Sequence, residues 1–243
     1  MKVDDLPWDG IRDLYLEANA GSILPGFIHN LNNSTHAVDL QLELLQTKIP
    51  RIEAGSFPEA AKKLSRIAQS SKDLLSLIDC VSNRFLFTQN DNLQIDLESY
   101  FPWFFSYWRN NLFYKHRIDV DFTLEPDCPN LDTPPFILTL CLEEAWKNAV
   151  EDCRLQNQEG HYRIGLTVQP FAQGVHIDLT SPTVLSADKD PFEAGFTTKQ
   201  GRLGYGLPLI RHYADLAGWD VSLVPTPEGT VFCLQIPDKR TRI

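Results

Sequence analysis

Two stretches of the chain space their apolar residues in alternating steps of three and four, and this pattern constrains the fold more than any other feature. Ile28, Leu31, Thr35, Val38, Leu42, Leu45 and Ile49 make the first seam; Leu64, Ile67, Ser71, Leu74, Ile78, Val81 and Phe85 make the second. Such spacing lays one stripe along an α-helix, and the stripe needs another helix to cover it. Pro50 stops the first helix, the segment 51–57 carries Gly55 and reads as a turn, and Pro58 opens the second. Two helices joined so briefly form an antiparallel hairpin. One hairpin covers only one side of each seam. Two hairpins paired as a four-helix bundle cover both, so the sequence predicts a homodimer in preference to docking of the hairpin on its own C-terminal half.

Ahead of the hairpin, residues 8–20 read as a short helix ended by Gly21, with Ser22 capping the next helix and Pro25 in its first turn. The character changes near Asn90-Asp91-Asn92. Strands are expected over 93–97, 117–124, 161–169, 174–180, 219–224 and 230–236, by apolar alternation. Helices are expected over 98–114, a run rich in aromatic side chains, from Pro134-Pro135 to about Leu155, and over 206–217, with an irregular stretch from Ser181 to Tyr205. The fold class is therefore α+β. Residues 1–21 form a short N-terminal helix, 22–90 a helical hairpin and 91–243 a two-layer α/β sandwich.

A net charge of −10 argues against a nucleic-acid partner, because phosphate backbones repel acidic surfaces. The N-terminus has no apolar signal run, and nothing approaches a membrane-spanning length. The expectation is a cytoplasmic protein away from the membrane, with its input supplied by a separate sensor protein or through the N-terminal helix. None of the five cysteines forms a CxxC pair, and they read as buried reduced thiols rather than metal or disulfide sites.

Three clusters could carry chemistry. His29 sits beside the first seam and faces solvent, with Asn32 and Asn33 one turn on and His36 two turns on. An exposed imidazole is a competent nucleophile near neutral pH, and amides one turn away can orient water or a phosphoryl group. Glu144, Asn148 and Asp152 recur every four residues on one helical face, with Glu151 nearby; an amide between acids suits Mg²⁺ held through oxygens. Gly201, Gly204 and Gly206 precede a helix and let backbone amides approach phosphate, while Lys199 and Arg202 add charge.

The segment GFIHNLNNSTHAVDLQLELL resembles the H-box of histidine kinases. LEEAWKNAVEDC resembles the N-box of the GHKL ATPases, and DPFEAGFTTKQGRLGYGLPLI the F-box and G2-box of histidine kinases. Together the likeness spans about residues 20–237. It implies His29 as phosphoacceptor and Asn33 as the group that orients hydrolytic water in members with phosphatase activity. It implies Glu144 as a general base or polar helper, Asn148 as the Mg²⁺ ligand, and Asp152, Thr180, Lys199, Gly201, Gly204 and Gly206 around ATP. A response-regulator receiver domain is the implied partner. The sequence departs from the family in two places. Asn30 stands where many members carry an acid that acts as a base toward the histidine. No Asp-x-Gly-x-Gly follows the strand at 174–180, and no glycine lies between Gly174 and Gly195. Thr180 or Ser181 falls near the missing acid, and Pro182 and Val184 narrow a pocket that needs room. Three readings follow: an ATP-dependent histidine kinase, a histidine phosphotransferase that needs no ATP, and a non-catalytic scaffold that binds a response regulator.

Overall fold

The computed structural model describes residues 7–48, 57–156, 160–171, 174–182, 184 and 189–237. The elements are α1 (Trp8–Lys48), α2 (Phe57–Phe87), β1 (Leu93–Ile95), α3 (Leu97–Trp108), α4 (Leu112–Arg117), β2 (Ile118–Leu124), β3 (Leu131–Thr133), α5 (Pro135–Gln156), β4 (Tyr162–Phe171), β5 (Gly174–Ser181), α6 (Gly206–Ala217), β6 (Asp220–Thr226) and β7 (Gly229–Pro237).

The expected break at Gly21 does not occur. A single helix of 41 residues runs through Gly21, Ser22 and Pro25. Ser22 caps nothing; its hydroxyl donates to the carbonyl of Asn19 at 2.7 Å. A proline inside a helix costs on the order of 3 kcal/mol. Here packing on both sides of it outweighs that cost, because Trp8, Asn19, Ile23 and Gly26 are all buried against the rest of the chain. Trp8 stacks on His212 with ring centroids 4.5 Å apart, and the Tyr213 hydroxyl donates to Asp9 Oδ1 at 2.7 Å. At Gly26 a Cβ would overlap the carbonyl of Asn110, so only glycine lets α1 lie this close to the turn after α3.

Helices α1 and α2 pack as a hairpin; of the expected turn at 51–57, residues 51–56 lie outside the described residues, as do the stop at Pro50 and the seam position Ile49, while Phe57 already belongs to α2. Much of the seam stays open. Ile28, Leu42, Ile78 and Val81 are exposed, Leu64 by 58% and Phe85 by 71%.

Five strands form one sheet in the order β2-β4-β5-β7-β6, with β2 and β4 parallel and the other neighbours antiparallel. Alternation decides which side chains face inward. Ile164, Leu166, Val168, Ile177, Leu179, Phe232 and Leu234 point to the helices and are buried. Each such side chain contributes roughly 1.5–3 kcal/mol by leaving water. Helices α5 and α6 lie on that face, and Phe104 and Phe105 of α3 meet Trp146 of α5 at 5.5 Å. The expected helix over 98–114 is in fact two, because each half has its own cap: Asp96 accepts from Glu98 N, and Asn111 from Tyr114 N. Strand β3, not anticipated, pairs with β1 outside the main sheet.

Candidate functional site

Helix α1 contributes to two candidate sites. His29 is exposed, and the Asn33 side-chain amide donates to its Nε2 at 3.0 Å. An amide nitrogen can only donate, so Nε2 presents its lone pair and Nδ1 carries the proton. Asn30, next along the chain, faces away from this pair. Its amide donates to Asn110 Oδ1 at 3.0 Å, and its carbonyl oxygen accepts from Lys115 Nζ at 3.3 Å. That double role needs an amide, since a carboxylate could not donate to Asn110. Asn30 therefore ties α1 to the α3–α4 turn.

The other place is a cavity of about 790 Å³ between α5, α6, the sheet and the segment 191–204. Leu14, Tyr15 and Ala18 of α1 line it too. Tyr15 is fixed by its hydroxyl, which accepts from Tyr205 N at 3.2 Å. Of the two residues expected to narrow it, Val184 lines the cavity and stands 84% exposed, while Pro182 does not line it.

The glycines ahead of α6 differ in what they are for. Gly201 adopts a φ of +75° and would meet nothing with an added Cβ. Gly204, at φ +71°, would meet Gly195 and Phe196, and the Gly204 carbonyl accepts from Gly195 N at 3.0 Å. Gly206 is close-packed against Glu144: an added Cβ would lie 2.7 Å from its Oε2. Two of the three are thus required by packing. The first turn of α6 also holds Pro208, which has no N–H to offer an anion.

Glu144, Asn148 and Asp152 do come together on the cavity wall, but each is already engaged. Glu144 Oε1 accepts from Asn19 Nδ2 at 2.7 Å and from Lys147 Nζ at 3.5 Å. Asn19 itself is fully buried; its amide also reaches Glu143 Oε2 at 3.3 Å, and its carbonyl oxygen accepts from Lys147 at 2.7 Å. Glu143 pairs with Arg84 at 3.0 Å, and Arg84 donates to the Tyr107 hydroxyl at 2.6 Å and the Leu16 carbonyl at 2.8 Å. Burial raises the Glu143 carboxyl to about 7, against the pull of Arg84, and raises Glu144 in the same direction. The sequence reading missed this network. Its signal was the helical spacing Trp8, Arg12, Tyr15, Asn19, Ile23, Gly26, Asn30, which crosses Pro25 without a change of phase.

Whether the wall suits Mg²⁺ is decided by what it holds. Lys199 Nζ lies 2.9 Å from Asp152 Oδ1, 3.1 Å from the Asn148 carbonyl, 3.3 Å from Asn148 Oδ1 and 3.5 Å from Glu151 Oε2. Arg202 pairs with Glu151 as well. The oxygens expected around a divalent ion surround an ammonium instead, and with Lys199 there they do not fit Mg²⁺.

Thr180 is a correction. Strand parity turns it away from the cavity, onto the outer face beside Gly165, where an added Cβ would meet its hydroxyl. Leu179 and Ser181, one residue either side, line the cavity instead. Asp178 also faces outward and pairs with His176 Nε2 at 2.8 Å, so it is not available as an adenine acceptor.

No protein-family profile matches the chain, and no curated protein matches it in sequence. Solved structures do. The nucleotide-free catalytic domain of the histidine kinase ThkA overlays with a TM-score of 0.52 at 20% identity, over 61% of this chain and 96% of that one. A second crystal form of it gives 0.51 at 19% identity with the same coverage. A bacterial phosphotransferase overlays over 90% of this chain and 96% of that one, but at a TM-score of 0.42 and 14% identity it is too loose to align residue on residue. The α/β half of this chain thus has the fold of a histidine kinase catalytic domain, and the whole is α+β as its sequence implies. Among the described residues no helix is long and apolar enough to cross a membrane.

Proposed function

We propose that this chain is a phosphoryl carrier of two-component signalling. His29 accepts a phosphoryl group from the aspartyl phosphate of a response-regulator receiver domain and passes it to another such domain. The histidine kinase fold then serves as a platform and does not supply ATP chemistry. The observation that carries this reading is the exposed His29, with Nε2 free to attack apart from one amide donor. In the step, the Nε2 lone pair bonds to phosphorus, the phosphorus–oxygen bond of the acyl phosphate breaks, and the aspartate leaves as carboxylate. Asn33 is placed to turn its N–H from Nε2 to a phosphoryl oxygen, or to water when the phosphoryl group is hydrolysed.

Distance argues against feeding His29 from the cavity of the same chain. Fourteen residues of α1 separate Tyr15 from His29, about 21 Å along the axis at about 1.5 Å per residue. The tie of Gly26 and Asn30 to Asn110 holds α1 in that place. The cavity itself favours the second reading, an ATP-dependent kinase, because about 790 Å³ is the size of an ordinary small-molecule site. One experiment separates the two. Incubation with a ³²P-labelled, phosphorylated receiver domain should label the wild type and leave His29→Ala blank, and labelled ATP with Mg²⁺ should label neither. Labelling by ATP that requires His29 would replace this reading with the kinase.

The open stripe of Ile28, Leu42, Leu64, Ile78, Val81 and Phe85 supports a homodimer through a four-helix bundle. Phe85→Glu should convert the protein to a monomer in sedimentation velocity; an unchanged dimer would place the interface elsewhere.

A further inference from the structure

We propose that Lys199 is the resident cation of the cavity, so that the cavity takes a mostly apolar ligand of at most one negative charge and takes it without a divalent metal. This deepens the reading of the cavity as a site that does not run on ATP, and rests on it.

Charge matching carries the argument. Six charged side chains line the cavity: Glu144, Glu151, Asp152, Lys147, Lys199 and Arg202. Among the described residues each has an opposite partner: Lys147 with Glu144, Lys199 with Asp152 and Glu151, and Arg202 with Glu151. The wall is therefore neutral before any ligand arrives. A nucleoside triphosphate brings several negative charges and would have to pull these bases from partners that hold them in a partly desolvated place; the Lys199 side chain is only 15% exposed. Nor can Mg²⁺ bring those charges in. It requires short contacts to oxygens in near-octahedral order, and the oxygens in question are those that Lys199 uses. Two cations cannot share them.

What positive potential remains comes from the start of α6. A helix N-terminus is worth about half an elementary charge; this one lacks an N–H at Pro208 and faces Glu144 Oε2 across Gly206. That answers at most one negative charge. Most of the remaining wall is apolar, with Leu155, Leu179, Phe196, Leu207, Leu223 and Phe232 among its members. A hydrophobic ring system with a single acidic group meets both conditions.

The test uses the full chain and two probes. Mn²⁺, followed by electron paramagnetic resonance, stands in for the divalent metal. The singly charged naphthalene dye 1-anilinonaphthalene-8-sulfonate stands in for the ligand. The wild type should bind no Mn²⁺ at millimolar concentrations. Lys199→Met, and Lys199→Gln as a second variant, should gain Mn²⁺ affinity by about tenfold or more, because freeing the acids raises the charge of an oxygen site. The dye should bind one per chain, unaffected by Mg²⁺ and not displaced by ATP with Mg²⁺. Ala18→Trp, at an exposed position of α1 on the cavity's edge, should abolish that binding with the circular dichroism unchanged. Mn²⁺ binding by the wild type, no gain in either Lys199 variant, displacement by ATP with Mg²⁺, or dye binding that survives Ala18→Trp would each overturn the proposal. Repeating the titrations in His29→Ala keeps the outcome separate from phosphoryl transfer: carrier function can fail there while the cavity behaves as stated, and the reverse.

Discussion

Around His29, α1 leaves an imidazole in solvent with one amide for company; around Lys199, the same chain surrounds an ammonium with four oxygens and gives every charged neighbour an opposite. The first arrangement suits group transfer, because an incoming phosphoryl group has only water and one weak contact to displace. The second resists a charged newcomer, because each group it would need is already satisfied where water is scarce. Likeness to the catalytic domain of a kinase therefore says less about chemistry than this local difference does. The fold supplies a cavity, and the side chains decide whether its charges are for hire.

The contrast depends on α1 being held in place, and the largest disturbance should come from Gly26→Ala. The new methyl group has no room beside the Asn110 carbonyl, so the helix must lift or the turn must shift. A loss of about 1–3 kcal/mol in chemical denaturation is expected. His29 should remain labelled by a phosphorylated receiver, since its own surroundings do not change. A variant as stable as the wild type would mean that α1 is not seated as described.

A smaller effect is expected from Asn30→Asp. It places beside His29 the acid that many histidine kinases carry there but removes the donor to Asn110 Oδ1, at a cost of about 1 kcal/mol. If the only obstacle to kinase activity were the missing base, this variant would begin to label itself from ATP. The expectation is that it does not, because the cavity remains neutral.

The last test concerns the cavity's support. Glu143 holds its proton more tightly in the folded protein, at about 7, than at the ordinary value of 4.5. Its contribution to stability is therefore greatest below pH 4.5 and is lost as pH rises through 7. Glu143→Gln should flatten the pH dependence of the unfolding midpoint between those limits. An unaltered slope would show that the carboxyl is already ionised beside Arg84.

Much of the fold was legible because its signals are strong and redundant. The helical period of the hairpin marks both of its helices, and Pro135 at the head of α5 and Gly206 at that of α6 fix the starts of those two nearly to the residue. The reading failed where local and distant forces disagree. Gly21, Ser22 and Pro25 together spell a helix end, and the burial of Trp8, Asn19, Ile23 and Gly26 against distant elements overrides it. Thr180 was misplaced by a single residue, which in a strand reverses the face. His29 and Asn33 lie exposed on the hairpin, and Glu144 and Asn148 lie on the cavity wall. The partners of the last two could not be foreseen. Asn19 and Lys199 approach from 125 residues upstream of Glu144 and 51 residues beyond Asn148, and no spacing within one helix announces them.

The unbroken course of α1 has a mechanical consequence. One rod borders the cavity with Leu14, Tyr15 and Ala18 and presents His29 farther along, so whatever settles at the near end loads the same shaft that a docking receiver must grip at the far end. Any strain sent one way returns the other with equal free energy. Pro25, which withholds one rung from the helix between them, is where such a shaft would yield first.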